Sequence, residues 1–183
     1  MIGGLKMKLY TKRGDQGTTI QIKGGQIPKY DPQIKALGDI DELDSWLGVV
    51  RAHIDYDGYA KWLGNELLML QTELYELLAD IGVPRHQTIT DTHVMRLEVK
   101  IDKWMGEVPP LKAFVLPGGN SVAAEIQYAR TLARRAERSV DFLATQDESI
   151  TASILRYTNR LSDYLFAMAR YVNWQAGISE KQV

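Results

Sequence analysis

The chain has 183 residues, 45% of them hydrophobic and 25% charged, with a formal net charge of −1. That balance suits one globular domain with a real core and argues against a general nucleic-acid or anionic-membrane binder. Cysteine is absent, which excludes disulfides, thiolate nucleophiles, Cys-type zinc sites and iron–sulfur clusters, and the three histidines (His53, His86, His93) are scattered.

The first 30 residues differ in kind from the rest. They hold six of the 15 glycines and carry a net charge of +5, leaving −6 for the remaining residues. Met1–Lys8 has no apolar signal core, and no run of 18 apolar residues follows, so a cytoplasmic location is expected. Residues 1–30 therefore read as a basic, glycine-rich arm, and these facts alone are equally consistent with a solvated, half-ordered one. Strand-like alternation is confined to Lys8–Gly25.

From Asp31 the pattern is helical. Asp31-Pro32 opens a first helix whose seam runs Ala36, Ile40, Leu43, Leu47, Val50, Ile54. Asp57-Gly58 separates it from a second seam at Leu63, Leu67, Leu70, Leu74, Leu77 and Ile81, which Gly82-Val83-Pro84 ends. A third seam, Val94, Leu97, Ile101, Trp104 and Val108, stops at Pro109-Pro110. The fourth runs Val122, Ile126, Ala129, Ala133, Ala136, Val140, Leu143, after Pro117-Gly118-Gly119-Asn120-Ser121. The fifth is Ile150, Ile154, Tyr157, Leu161, Leu165, Met168 and Val172. Steps averaging 3.5 place each set on one stripe, so the expected fold is all-α: a five-helix bundle over residues 31–183 behind the arm.

Three polar constellations stand out against that frame. On the fourth helix Arg130, Arg134, Glu137 and Asp141 step by 4, 3, 4, one residue beyond the seam, with Arg135 and Arg138 a further residue round. This row reads either as a surface ion-pair network or as a guanidinium clamp for a phosphate chain, with Glu137 offering oxygen to magnesium. In the arm, Thr11 to Thr19 supplies glycines, hydroxyls and Lys12 and Arg13 for anion binding, although neither a Walker A sequence nor a dinucleotide fingerprint occurs. On the fifth helix Asn159 and Ser162 interrupt a second inward-facing row with Leu155, Phe166 and Ala169, as a core polar pair or a ligand-facing amide. Asp41 and Asp44 flank the first seam similarly. No Glu-x-x-His pair and no Gly-x-Ser-x-Gly elbow is present. What remains is phosphate handling without an acid, base or nucleophile of its own.

Five ordered motifs carry a family resemblance: Tyr10-Thr-Lys-Arg-Gly-Asp-Gln-Gly-Thr-Thr19, Gly38-Asp-Ile-Asp-Glu-Leu-Asp-Ser45, Phe114-Val-Leu-Pro-Gly-Gly119, Ala129-Arg-Thr-Leu-Ala-Arg-Arg-Ala-Glu-Arg138 and Asn159-Arg-Leu-Ser-Asp-Tyr164. Over about residues 8–175 the chain resembles the PduO-type ATP:cob(I)alamin adenosyltransferases. The resemblance implies a five-helix bundle, usually a homotrimer with ATP sites between subunits. It implies transfer of the 5′-deoxyadenosyl group of ATP to the cobalt of reduced cobalamin, with release of triphosphate. Thr11, Lys12, Arg13, Gly14, Thr19 and Lys29 are then expected to line the nucleotide from one subunit. Arg134, Glu137, Arg138 and Asn159 are expected to meet it from the neighbour, with Glu137 near magnesium. Asp41 resembles an aspartate that pairs across the interface with an arginine, here Arg130. Phe114 resembles the phenylalanine that keeps the lower axial base off cobalt. A corrinoid reductase or an adenosylcobalamin-dependent enzyme is the further partner implied.

The chain departs from the family pattern in three places. The loop Ala79–His86 is abbreviated, Met1–Lys6 precedes the usual start near Met7, and Val183 follows soon after the fifth helix, which suggests a more open cobalamin side. A non-catalytic bundle that senses or carries ATP and corrinoid is the competing reading, told apart by whether triphosphate is released.

Overall fold

Five apolar stripes at helical spacing each need a partner surface, and the chain satisfies them against one another. The computed structural model describes residues 10–22, 24–57 and 61–183. The helices are α1 (Pro32–Asp57), α2 (Lys61–Gly82), α3 (Asp91–Glu107), α4 (Ser121–Ala144) and α5 (Ala152–Gln175). α1 packs on α2 and α4, and α5 packs on α4 and α3. The predicted seams form one core, in which Ile40, Leu47, Leu67, Leu74, Leu97, Ile126, Val140, Tyr157 and Leu165 are all buried. Ile101 is the exception and is only half-buried. Ile150 is buried but precedes α5, because Thr151 caps that helix by accepting from the Ile154 amide at 3.3 Å.

The helix ends follow the local chemistry. The Asp31 carboxylate accepts from the Gln33 amide at 2.9 Å, and Asn120 accepts from the Ala123 amide at 2.8 Å, each satisfying an amide with no helical partner. α2 stops before Val83-Pro84, and Val108 turns extended ahead of Pro109. Gly58, Lys23 and the predicted start region Met1–Lys6, with Met7 and Lys8, lie outside the described residues.

The arm is more structured than a solvated tail. β1 (Thr18–Ile20) pairs antiparallel with β2 (Gln26–Pro28), Thr19 standing opposite Ile27. Gly24 and Gly25 take φ of 84° and 94° in the turn, a region that favours glycine. The hairpin is moored to the bundle through Gln33. That side chain accepts from Gln21 Nε2 at 2.5 Å and donates to the Ile81 carbonyl at 2.7 Å.

A polar ladder crosses the core. Glu73 of α2 accepts from the Tyr157 hydroxyl at 2.9 Å and from Arg96 of α3; seven residues earlier, Glu66 accepts from Tyr164 at 2.5 Å and from Lys100. Both glutamates are buried, and the spacing of seven on α2 and on α5 repeats the same Glu–Tyr–cation arrangement two turns apart. Among the described residues, no helix is long and apolar enough to cross a membrane.

Candidate functional site

On α4, three arginines stand one turn apart. Arg130 is half-buried, and Arg134 and Arg138 are exposed. Arg130 Nε donates to Gln127 Oε1 at 2.8 Å, and Arg138 Nη1 donates to the Arg134 carbonyl at 2.9 Å. Among the described residues, none of the three has a carboxylate within ion-pair distance, whereas Arg135 pairs with Glu42 of α1. The ion-pair network expected as one reading of this row therefore describes Arg135 alone. Like charges at i,i+4 destabilise a helix by about 0.2–0.5 kcal/mol per pair, so the ladder is electrostatically unsatisfied without an anion. Burial first, and Arg134 second, pull the Arg130 guanidinium below its usual pKa.

Glu137 extends the same stripe and accepts from Asn159 Nδ2 of α5 at 2.7 Å. Asn159 is exposed, which corrects the expectation of an inward-facing amide. Its row lies at the edge of the α5 stripe, where Leu155 and Phe166 are only half-buried; Ser162 and Ala169 turn inward. Asp141, one turn beyond Glu137, has its carboxyl pushed up by burial and then by Glu137. The stripe from Arg130 to Glu137 spans about 10 Å at 1.5 Å per residue, the reach of a polyphosphate. Among the described residues, no three His, Cys, Asp or Glu side chains gather to hold a metal by themselves.

At the Arg130 end of the stripe, a cavity of about 490 Å³ is lined by Leu111, Phe114, Val115, Gln127, Arg130 and Phe166. Phe114 is 87% exposed, so its ring stands free beside the cavity rather than in the core. The segment carrying it connects α3 to α4 and is fastened at its far end by Asn173, which donates to the Gly118 carbonyl at 2.9 Å and accepts from the Asn120 amide at 3.0 Å. Asn173 and Gln127 escaped the sequence reading, and Phe166 entered it only as a member of an inward-facing row. Asn173 and Gln127 are single polar letters inside apolar helices with no motif to mark them, and Phe166 looks like any core residue.

The arm makes a second cationic surface. Lys12 adopts φ of 61° and Gly17 of 79°, in a tight turn closed by the Asp15 amide on the Lys12 carbonyl and the Gly17 amide on the Gly14 carbonyl, both at 3.3 Å. The Lys29 amide donates to the Gly17 carbonyl at 2.9 Å, and the Lys29 ammonium lies 3.2 Å from where a Cβ on Gly14 would stand. A side chain there would push the ammonium away. Thr11, Lys12 and Arg13 are exposed, and Thr19 is half-buried.

Within one chain these two surfaces do not meet. Among the described residues, no hydrogen bond or ion pair joins Thr11, Lys12, Arg13, Thr19 or Lys29 to Arg130, Arg134, Glu137 or Arg138. The arm is moored at the α1–α2 end, and Asp41 is exposed on that side, lining an apolar cleft of about 500 Å³ with Ile22, Leu37, Tyr75 and Leu78. Asp44, nearby, is half-buried, and burial is the main cause of its raised pKa.

Comparisons of sequence and of structure with known proteins give concordant matches. The sequence profile of the cobalamin adenosyltransferase family matches residues 9–172. A corrinoid adenosyltransferase from Bacillus subtilis is 42% identical over 95% of this chain and 91% of that protein. The human corrinoid adenosyltransferase MMAB is 34% identical over 95% of this chain and 72% of its own length. A solved variant of a PduO-type ATP:corrinoid adenosyltransferase from Lactobacillus reuteri, complexed with cobalamin and ATP, superposes with a TM-score of 0.90. It is 36% identical, covering 96% of this chain and 99% of that one.

Proposed function

The chain belongs to the cobalamin adenosyltransferase family, and from that premise we propose how its own residues serve the transfer. The enzyme moves the 5′-deoxyadenosyl group of ATP to the cobalt of reduced cobalamin and releases triphosphate. Cobalt(I) attacks C5′, the C5′–O bond breaks, and its electron pair leaves with triphosphate. The nucleophile belongs to one substrate and the leaving group to the other, so the protein needs no base. It must bind, orient and hold the developing charge.

The observation that carries the assignment is the unpaired ladder Arg130–Arg134–Arg138 opening onto the Phe114 cavity. Arg134 and Arg138 take the triphosphate as planar forks, Asn159 orients the Glu137 carboxylate, and Glu137 would hold magnesium. One carboxylate fits that ion, which typically takes one or two together with phosphate oxygens and water. Bound by Glu137, the ion would supply positive charge to the leaving triphosphate. The arm residues Thr11, Lys12, Arg13, Gly14, Thr19 and Lys29 close on the nucleotide from a neighbouring copy, because one chain holds its two cationic surfaces apart. The assembly is a homotrimer, in which Asp41 meets Arg130 of the adjacent subunit. Phe114 stands on the lower face of the corrin and keeps the axial base away, which eases reduction of cob(II)alamin. We also take the enzyme to be cytoplasmic, supplied by a corrinoid reductase and delivering to an adenosylcobalamin-dependent enzyme.

Two substitutions separate the halves of the site. Arg134→Ala should raise the KM for ATP or lower turnover by about 10- to 100-fold, the effect of one charged hydrogen bond. Phe114→Ala should cut turnover with cobalamin while leaving the KM for ATP within about twofold. Unchanged kinetics in Arg134→Ala would remove the clamp, and equal loss of both substrates in Phe114→Ala would point to misfolding.

A further inference from the structure

An 87%-exposed ring cannot be placed by the packing of its own side chain, so the position of Phe114 is decided by its backbone. That backbone is held from the C-terminal residues. The Leu116 amide donates to the Lys181 carbonyl, and the Val183 amide donates to the Phe114 carbonyl, both at 2.9 Å. Val115 faces Gln182 in the antiparallel bridge between them. The tail is in turn held by one side chain of α5. Arg170 is only 3% exposed. Its Nε donates to Glu180 at 2.8 Å, its Nη2 donates to the Pro109 carbonyl at 2.9 Å, and its Nη1 lies 3.7 Å from Met105 Sδ. One guanidinium therefore ties together α3, the start of the α3–α4 segment and the tail. Three residues along, Asn173 fastens the end of that segment, and its own carbonyl accepts from the Ile178 amide at 2.9 Å.

We propose that Arg170 and Glu180 are positioning residues for the corrinoid half of the reaction, setting Phe114 through the Lys181–Val183 strand. The inference rests on the reading of Phe114 given above. The pair is well suited to the task, because a planar fork shielded from water fixes direction as well as distance. Glu180 lies beyond the last helix, so its substitution removes no apolar side chain from the core; it does leave the buried Arg170 without its carboxylate, which is why the hydrogen-bonding variant Glu180→Gln is needed beside Glu180→Ala. The nucleotide stripe on α4 shares no hydrogen bond with this strap among the described residues, so ATP binding should not feel it.

The test uses the full chain with ATP, magnesium and cob(II)alamin, reading the fraction of four-coordinate cob(II)alamin by its electron paramagnetic resonance spectrum alongside kcat and both KM values. Glu180→Ala should lower that fraction and kcat/KM for the corrinoid by about tenfold or more, as expected when a reacting group is slightly misplaced. The KM for ATP should stay within twofold. Glu180→Gln keeps an oxygen for Arg170 Nε and should recover most of the signal. Val183→Pro, which removes the amide that holds the Phe114 carbonyl, should reproduce the loss. Phe114→Ala is measured in parallel. If Phe114→Ala loses the four-coordinate signal and Glu180→Ala keeps it, the strap is wrong and the role of Phe114 stands. If neither variant changes it, the reading of Phe114 falls and the strap falls with it. Loss in Glu180→Ala without loss in Phe114→Ala, or an equal rise in the KM for ATP, also overturns the proposal.

Discussion

Gly119 shows how much of the site rests on single residues. Its φ is +108°, and a Cβ there would collide with the side-chain amide of Asn173. An alanine would meet both the backbone strain and that close contact, and would push away the group that fastens the Phe114 segment. Gly119→Ala should therefore lose about 2 kcal/mol or more in guanidinium unfolding. A loss below about 0.5 kcal/mol would mean that the segment relaxes freely. At this scale the sequence was partly informative. The Pro117-Gly-Gly119 motif announced a special turn, but nothing marked Asn173 as its partner, because contacts between distant positions leave no local pattern. Asn159 was read as part of an inward-facing row and lies exposed instead. A residue at the edge of a helical stripe can turn either way, and in this case Glu137 draws it outward.

Helices were the most legible features. Apolar spacing fixed five of them, since burying a continuous stripe is the dominant favourable term, and proline and glycine marked the breaks. What spacing could not reveal was the polar ladder across the core, because Glu66 and Glu73 look like surface residues until Tyr157 and Tyr164 reach them. The carboxyl of Glu73 is pushed up by burial, against the opposing pull of Arg96 and Tyr157. A raised folded-state pKa means that the fold favours the protonated form. The stability this group contributes is thus full below the usual carboxylate range and is lost as pH rises through the raised value. The stability of the wild type relative to Glu73→Gln should accordingly fall across that acidic window, measured by denaturant unfolding at several pH values. A difference that stays flat, or grows with pH, would contradict the assignment of burial as the main cause. The β1–β2 hairpin was half legible at this scale: the strand-like stretch Lys8–Gly25 contains β1, but β2 lies just beyond it, because a strand of three residues is too short for a period of two to register.

For the molecule as a whole, a single chain presents two cationic surfaces that no hydrogen bond or ion pair joins among the described residues, and an exposed Asp41 beside apolar residues. Assembly is the economical way to bring them together, and one chain's sequence carries no direct record of it. Asp41→Asn should weaken association in sedimentation velocity and lower activity in step with it, with dilution of the wild type producing the same coupled loss. Full activity in a monomeric species would place the whole nucleotide site within one chain and remove the intersubunit reading.

The most direct measurement of the central claim is an anaerobic reaction of the purified chain with chemically reduced cobalamin, ATP and magnesium, following the corrinoid spectrum and triphosphate together. The account predicts adenosylcobalamin and triphosphate in equal amounts, and loss of both in Arg134→Ala. Bound ATP with neither product formed would contradict it and leave the chain as a binding protein.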